Sequence, residues 1–166
     1  CNFGALHVVR QILSYDYLWN EVRVKGGAYG AFFRFHRSGI AGFSSYRDPN
    51  LKETLDIYQN TADYLRKYQA DEREMLKSII GTISALDVPL TPSLQVSRSL
   101  GLYLSHYSDE MLQKERDEIL YCTVDDIHQI ANVLDEILSD QAYCVMGNEQ
   151  KLKDEATLFG EMWTLS

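Results

Sequence analysis

The feature that most constrains this chain's fold is the change of hydrophobic period at Gly26-Gly27. Before the glycines, Leu6, Val9, Leu13, Tyr17 and Val22 recur at roughly helical spacing, which predicts a helix over residues 5–25. After them, "AYGAFFRFH" alternates, placing Tyr29, Ala31, Phe33 and Phe35 on one face of a strand. "HRSG" offers a turn and "IAGFSSY" a returning strand, so the spacing predicts a hairpin of residues 28–36 with 40–46. Gly26 or Gly27 is placed to end the helix as a left-handed cap. A chain that switches period this abruptly is neither all-helical nor all-β.

The remainder reads as a run of helices. "DPNLKETLDIYQNTADYLRKY" restarts helix, with Asp48 or Asn50 as cap and Leu51, Leu55, Tyr58, Ala62 and Leu65 as a buried stripe. Asp71 and Glu74 match a capping box for a helix that buries Met75, Ile79, Ile83 and Leu86. Proline in "DVPLTPS" breaks that helix, and Thr91 with Pro92 opens the next. Helices are expected at 92–106 and 109–121. A further one, over "TVDDIHQIANVLDEIL", is capped by Thr123 with Asp126 and lined inside by Ile127, Ile130, Leu134 and Ile137. "QAYCVMG" reads as a short buried strand. One short helix follows it. The expected architecture is α+β: a small antiparallel-containing sheet, made of the hairpin plus that later strand, covered by several helices. No linker divides the chain, so residues 1–166 read as a single domain.

Charge and cysteine usage narrow the function classes. A formal net charge of -8 opposes nucleic acid as partner, because phosphate neutralisation needs a basic face. No apolar run spans a bilayer, so no membrane partner is expected. Cys1, Cys122 and Cys144 are widely spaced, with no C-x-x-C pattern, and a reducing compartment is the simplest setting. The chain opens "CNFGALHVV", without methionine or an entry strand, so a piece of a longer protein is expected.

Few residues carry candidate chemistry. His7, His36, His106 and His128 show no metal-ligand spacing, and there is no H-E-x-x-H or H-x-x-E-H. His128, beside Asp125 and Asp126, reads as a solvated histidine. No G-x-S-x-G elbow is present, and Ser44-Ser45 follow strand alternation. Cys122 and Cys144 read as small core residues. "GGAYG" runs from helix to strand, so no helix N-terminus faces an anion there. Arg23 and Tyr29 remain. Singly, Arg23 reads as a cation near a helix C-terminus and Tyr29 as a sheet aromatic. Jointly, a permanently charged guanidinium and a neutral phenol are donors able to converge on a peptide carbonyl and stabilise developing negative charge.

"LWNEVRVKGGAYG" resembles the arginine–tyrosine segment in the C-terminal half of pitrilysin/insulinase-type zinc metallopeptidases, and its glycine pair most resembles the presequence-protease branch. "SYRDPNLKETLDIY", "IGTISALDVPLTPS" and "YCVMGNEQKL" extend the resemblance from about Leu6 to Leu152. The resemblance implies a truncated metallopeptidase (LuxS/MPP-like) domain, a fragment of the last of four domains that close around a chamber. It places zinc on an H-x-x-E-H motif in the N-terminal catalytic half, so this chain is expected to bind no zinc and to supply no catalytic residue alone. Arg23 and Tyr29 map onto the family's pair that orients the substrate carbonyl and stabilises the oxyanion. Expected partners are the N-terminal half and unfolded peptide substrates, with self-association of the fragment through an uncovered sheet edge. The expected location is a bacterial cytosol, or a mitochondrial or plastid matrix in a eukaryote. Two alternatives stand beside this: a non-catalytic scaffold or partner-subunit domain of the same fold family, and an unrelated acidic helical interaction domain.

Overall fold

The computed structural model describes residues 2–140 and 142–164. Helix α1 (Phe3–Ile12) starts at Asn2, whose side chain accepts from the Ala5 amide. It continues through a π-wound stretch, Leu13–Tyr17 and then Trp19–Lys25, up to the glycine pair. The hairpin follows, with β1 (Gly30–Phe35) antiparallel to β2 (Ala41–Tyr46) and Phe33 opposite Phe43. Helices α2 (Lys52–Gln59), α3 (Thr61–Lys67), α4 (Glu72–Leu86), α5 (Pro92–Leu104), α6 (Asp109–Leu120), α7 (Val124–Ser139) and α8 (Glu149–Asp154) complete the order, with a short 3-10 turn at Ala156–Leu158.

Helix α1 is the central element. Ala5, Val8, Val9, Ile12 and Leu13 are buried, and α4, α6 and α7 pack around it. Ile119 of α6, Leu65 of α3 and Ile127, Ile130 and Leu134 of α7 complete the core, together with Phe33 from the hairpin. Burying one such aliphatic side chain stabilises the fold by about 2 kcal/mol. The short-range signals appear where the sequence places them. Asp71 with Glu74 and Thr123 with Asp126 both form reciprocal capping boxes, and Thr91 caps α5 with Pro92 at its first position.

Four expectations are corrected. First, the helix over 5–25 is π-wound in its second half. At 100° per residue Leu18 would stand roughly 140° around the axis from Leu13. The wider turn brings Leu13, Leu18 and Val22, all fully buried, onto one face. Second, the helix over Leu51–Leu65 divides at Asn60, and neither Asp48 nor Asn50 caps it, since the first position is preceded by Leu51 without a side-chain bond. Asp48 acts earlier, accepting from the Asn50 amide and the Thr54 hydroxyl. Third, residues 142–147 of "QAYCVMG" form no strand, Gln141 lies outside the described residues, and the described sheet is the two-stranded hairpin. The α+β class therefore rests on the hairpin and the helices alone. Fourth, Cys144 is consequently exposed rather than in the core. Cys122 is buried, and burial, helped by the Asp126 charge, pushes its thiol up to about 12. Cys1 lies outside the described residues.

Helix α5 stands apart, with no buried residue, and presents Leu94, Val96, Leu100, Tyr103 and Leu104 to solvent. Among the described residues no helix is long and apolar enough to cross a membrane.

Candidate functional site

The π-wound segment sets one wall of the site. The Arg23 guanidinium carbon lies 3.9 Å from the centroid of the Trp19 ring, a close cation–π stack one turn apart. Lys25 pairs instead with Glu21 at 2.7 Å, so that cation is engaged on the helix surface. The segment then closes through the glycines. Gly26 N–H donates to Glu21 O, Gly27 N–H to Arg23 O and Ala28 N–H to Val22 O, which gives partners to three carbonyls in the final turns of the helix.

Both glycines are required, for different reasons. Gly27 has φ +80°, a left-handed conformation, while a Cβ on Gly26 would lie 2.5 Å from the Val22 carbonyl oxygen. Gly27→Ala is expected to lower unfolding stability by about 1–2 kcal/mol, and Gly27→Asn by less, because asparagine tolerates that conformation. Urea denaturation of the two variants checks the order; equal stability of Gly27→Ala and wild type would refute it.

Tyr29 emerges on the far side of the turn. Its N–H donates to Tyr46 O at 3.1 Å, one residue out of the register that pairs Gly30 with Tyr46. Its ring meets Tyr46 edge-on at 5.9 Å and is 68% exposed. The loop after β2 braces this turn. Asn50 Nδ2 donates to Gly26 O at 2.6 Å, and Lys151 Nζ donates to Pro49 O at 2.9 Å. Arg23 and Tyr29 thus line one open depression, together with Trp19, Ala28 and Arg47. Among the described residues no carboxylate forms an ion pair with Arg23 or Arg47. The depression offers a guanidinium and a phenol hydroxyl as donors beside aromatic faces, and among the described residues its lining includes no carboxylate or imidazole.

Other candidates fall elsewhere. His128 is not a freely solvated side chain: it is half-buried and its Nε2 donates to the Tyr68 carbonyl at 2.8 Å, at the end of α3. Ser44 and Ser45 are both exposed on β2. Among the described residues no three His, Cys, Asp or Glu side chains converge as a metal site.

Sequence reading missed a buried polar cluster built on Glu115. His7 Nε2 donates to Glu115 Oε1 at 2.6 Å, the Tyr107 hydroxyl to Oε2 at 2.6 Å, and Arg37 Nη2 reaches both oxygens at 2.9 Å. Burial opposes ionisation of this carboxyl. Hydrogen bonds from His7, Tyr107 and Arg37 and the Arg37 charge outweigh it, holding the carboxyl down to about 2. The cluster ties α1, the hairpin turn and α6 together, away from the depression. Glu115 stands one helical turn before the buried Ile119, and that inward register is the signal by which periodicity could have found it.

Residues 3–147 match the family described as PreP C-terminal domain. Protein HypA of Clostridium perfringens (strain 13 / Type A) is 46% identical over 159 residues, covering 96% of this chain and 16% of that protein. Presequence protease 1, chloroplastic/mitochondrial, of Arabidopsis thaliana is 41% identical over 135 residues, covering 81% of this chain and 12% of that protein. The mitochondrial presequence protease of Xenopus tropicalis is 34% identical over 131 residues, covering 79% and 12%. The chain therefore spans a sixth or less of the length of these relatives.

Proposed function

Since the chain belongs to the PreP C-terminal domain family, we propose that it is the substrate-contacting part of a peptide-cleaving enzyme. Arg23 and Tyr29 hold the scissile carbonyl of an unfolded peptide and stabilise the charge that develops on its oxygen. The observation that carries this reading is that the two side chains, six residues apart, line one depression on either side of the glycine turn. A neutral backbone carbonyl accepts hydrogen bonds, and a guanidinium and a phenol hydroxyl are both donors.

In this reading the domain is the last of four. The hydrolytic chemistry, with zinc, belongs to the N-terminal half, and this chain supplies orientation and oxyanion donors only. The uncovered apolar surface of α5 fits a domain that packs against the rest of a longer protein. The thiols of Cys122 and Cys144 are free, which fits a reducing interior, and we place the protein in a bacterial cytosol.

Tyr29→Phe in the full-length protein tests the pairing with minimal disturbance, because it removes only the hydroxyl. Turnover of a quenched fluorescent peptide is expected to fall about 10²-fold with little change in KM, as loss of a transition-state donor does. An unchanged kcat would remove Tyr29 from the mechanism.

A further inference from the structure

We propose that Arg47 makes the Arg23–Tyr29 depression a carboxylate-recognising site, selecting peptides that present an acidic side chain or a free C-terminal carboxylate. The inference rests on the reading of Arg23 and Tyr29 as peptide contacts and adds a substrate class to it.

The first observation is conformational. Arg47 has φ +49°, in the left-handed region that non-glycine residues seldom occupy. Asparagine or glycine is the ordinary solution there, yet an arginine stands at this position. The surrounding structure holds it in place from both sides. Tyr46 O, just before it, accepts from Tyr29 N–H. After it, Asp48 accepts from Asn50 and Thr54, Asn50 donates to Gly26 O and Lys151 donates to Pro49 O. A disfavoured conformation kept by so many bonds is a recurrent property of ligand-contacting positions.

The second observation is electrostatic. The whole chain carries a formal net charge of -8, and an acidic ligand is repelled by most of its surface. Arg37, Arg66 and Arg116 are each engaged by carboxylates of the chain itself. Arg10, Arg23, Arg34, Arg47, Arg73 and Arg98 form no ion pair among the described residues, and of these Arg23 and Arg47 line the same depression, each lying against an aromatic ring, at 3.9 Å from Trp19 and 5.5 Å from Tyr46. Holding a neutral peptide carbonyl calls for one guanidinium and one hydroxyl. A second guanidinium beside them adds recognition of negative charge, since its planar fork matches the two oxygens of a carboxylate.

The test uses the full-length protein and two pairs of quenched fluorescent peptides. One pair differs by Glu or Gln at a single position beside the cleaved bond. The other differs by a free or an amidated C-terminus. Arg47→Asn removes the charge while suiting the left-handed backbone. Wild type is expected to favour the carboxylate-bearing member of at least one pair. Arg47→Asn is expected to lower that kcat/KM ratio about 10-fold, in the range of one charge-assisted hydrogen bond, and the pair whose ratio collapses identifies the source of the carboxylate. If the ratios in both pairs stay at their wild-type values, or if wild type shows no preference, the proposal is wrong. If Arg47→Asn fails to fold, Arg47→Gly, which also accepts the backbone angle, is scored by the same ratios. Failure of the underlying reading has its own signature: full turnover of every peptide by Arg23→Ala.

Discussion

Arg23→Ala in the full-length protein is expected to reduce kcat for peptide cleavage by about 10²–10³, the usual effect of losing one oxyanion donor. The guanidinium is stacked on Trp19 and has no carboxylate partner among the described residues, so its removal leaves no buried charge unpaired. The stack contributes on the order of 0.5–1 kcal/mol at an exposed site, too little to unfold the domain. Activity should therefore fall with the thermal midpoint nearly unchanged. Arg23→Lys sharpens the test, because it keeps the charge but loses the planar fork. Intermediate recovery by lysine indicates that charge and geometry both act. Full activity in Arg23→Ala would leave the depression without its central role.

Glu115→Ala should destabilise the fold by about 3 kcal/mol, read as a lower midpoint in urea with an unchanged slope. The carboxylate is 4% exposed and accepts from His7, Tyr107 and Arg37, so its loss leaves three donors facing an apolar side chain. Arg37 is itself partly exposed and recovers some hydration, which places the expected cost at the lower end of the range for broken buried pairs. The pH dependence follows from the sign of the shift. The folded carboxyl lies at about 2, below its ordinary 4.5, so its stabilising contribution is complete above about 4.5 and disappears as pH falls towards 2. The stability gap between wild type and Glu115→Gln should therefore narrow across that acidic window. A gap that is constant from neutral pH down to 2 would contradict the assignment.

The parts of this fold legible in the sequence are those decided within a few residues. Capping boxes at Asp71 and Thr123 were readable because donor and acceptor are three positions apart. The hairpin was readable because alternation begins at the glycine pair and a turn lies midway. Leu18 escaped because a 3.6-residue template selects Tyr17 instead, while the π winding turns Leu18 inward. "QAYCVMG" was misread because an apolar run forms a strand only where another strand offers its hydrogen bonds, and among the described residues none pairs with residues 142–147.

The candidate site divides in the same way. Arg23 and Tyr29, which both line the depression, were open to selection as candidates from the resemblance and from their placement on either side of the glycines. Arg47 was not, because it reaches the depression only when β2 pairs with β1 and Asn50 bonds back to Gly26 O. The Glu115 cluster depends on contacts across up to 108 positions, for which no local pattern exists.

By itself, then, the amino-acid sequence determined the order of elements, the α+β class, the reversal at Gly26-Gly27 and the donor types on each side of it, because capping, periodicity and backbone freedom act over one or two turns of chain. Only the tertiary structure decided the π winding, the left-handed Arg47 and the gathering of Trp19, Arg23, Tyr29 and Arg47 around one depression. Those outcomes depend on which distant groups bury one another and which donors find acceptors, and that is settled by packing.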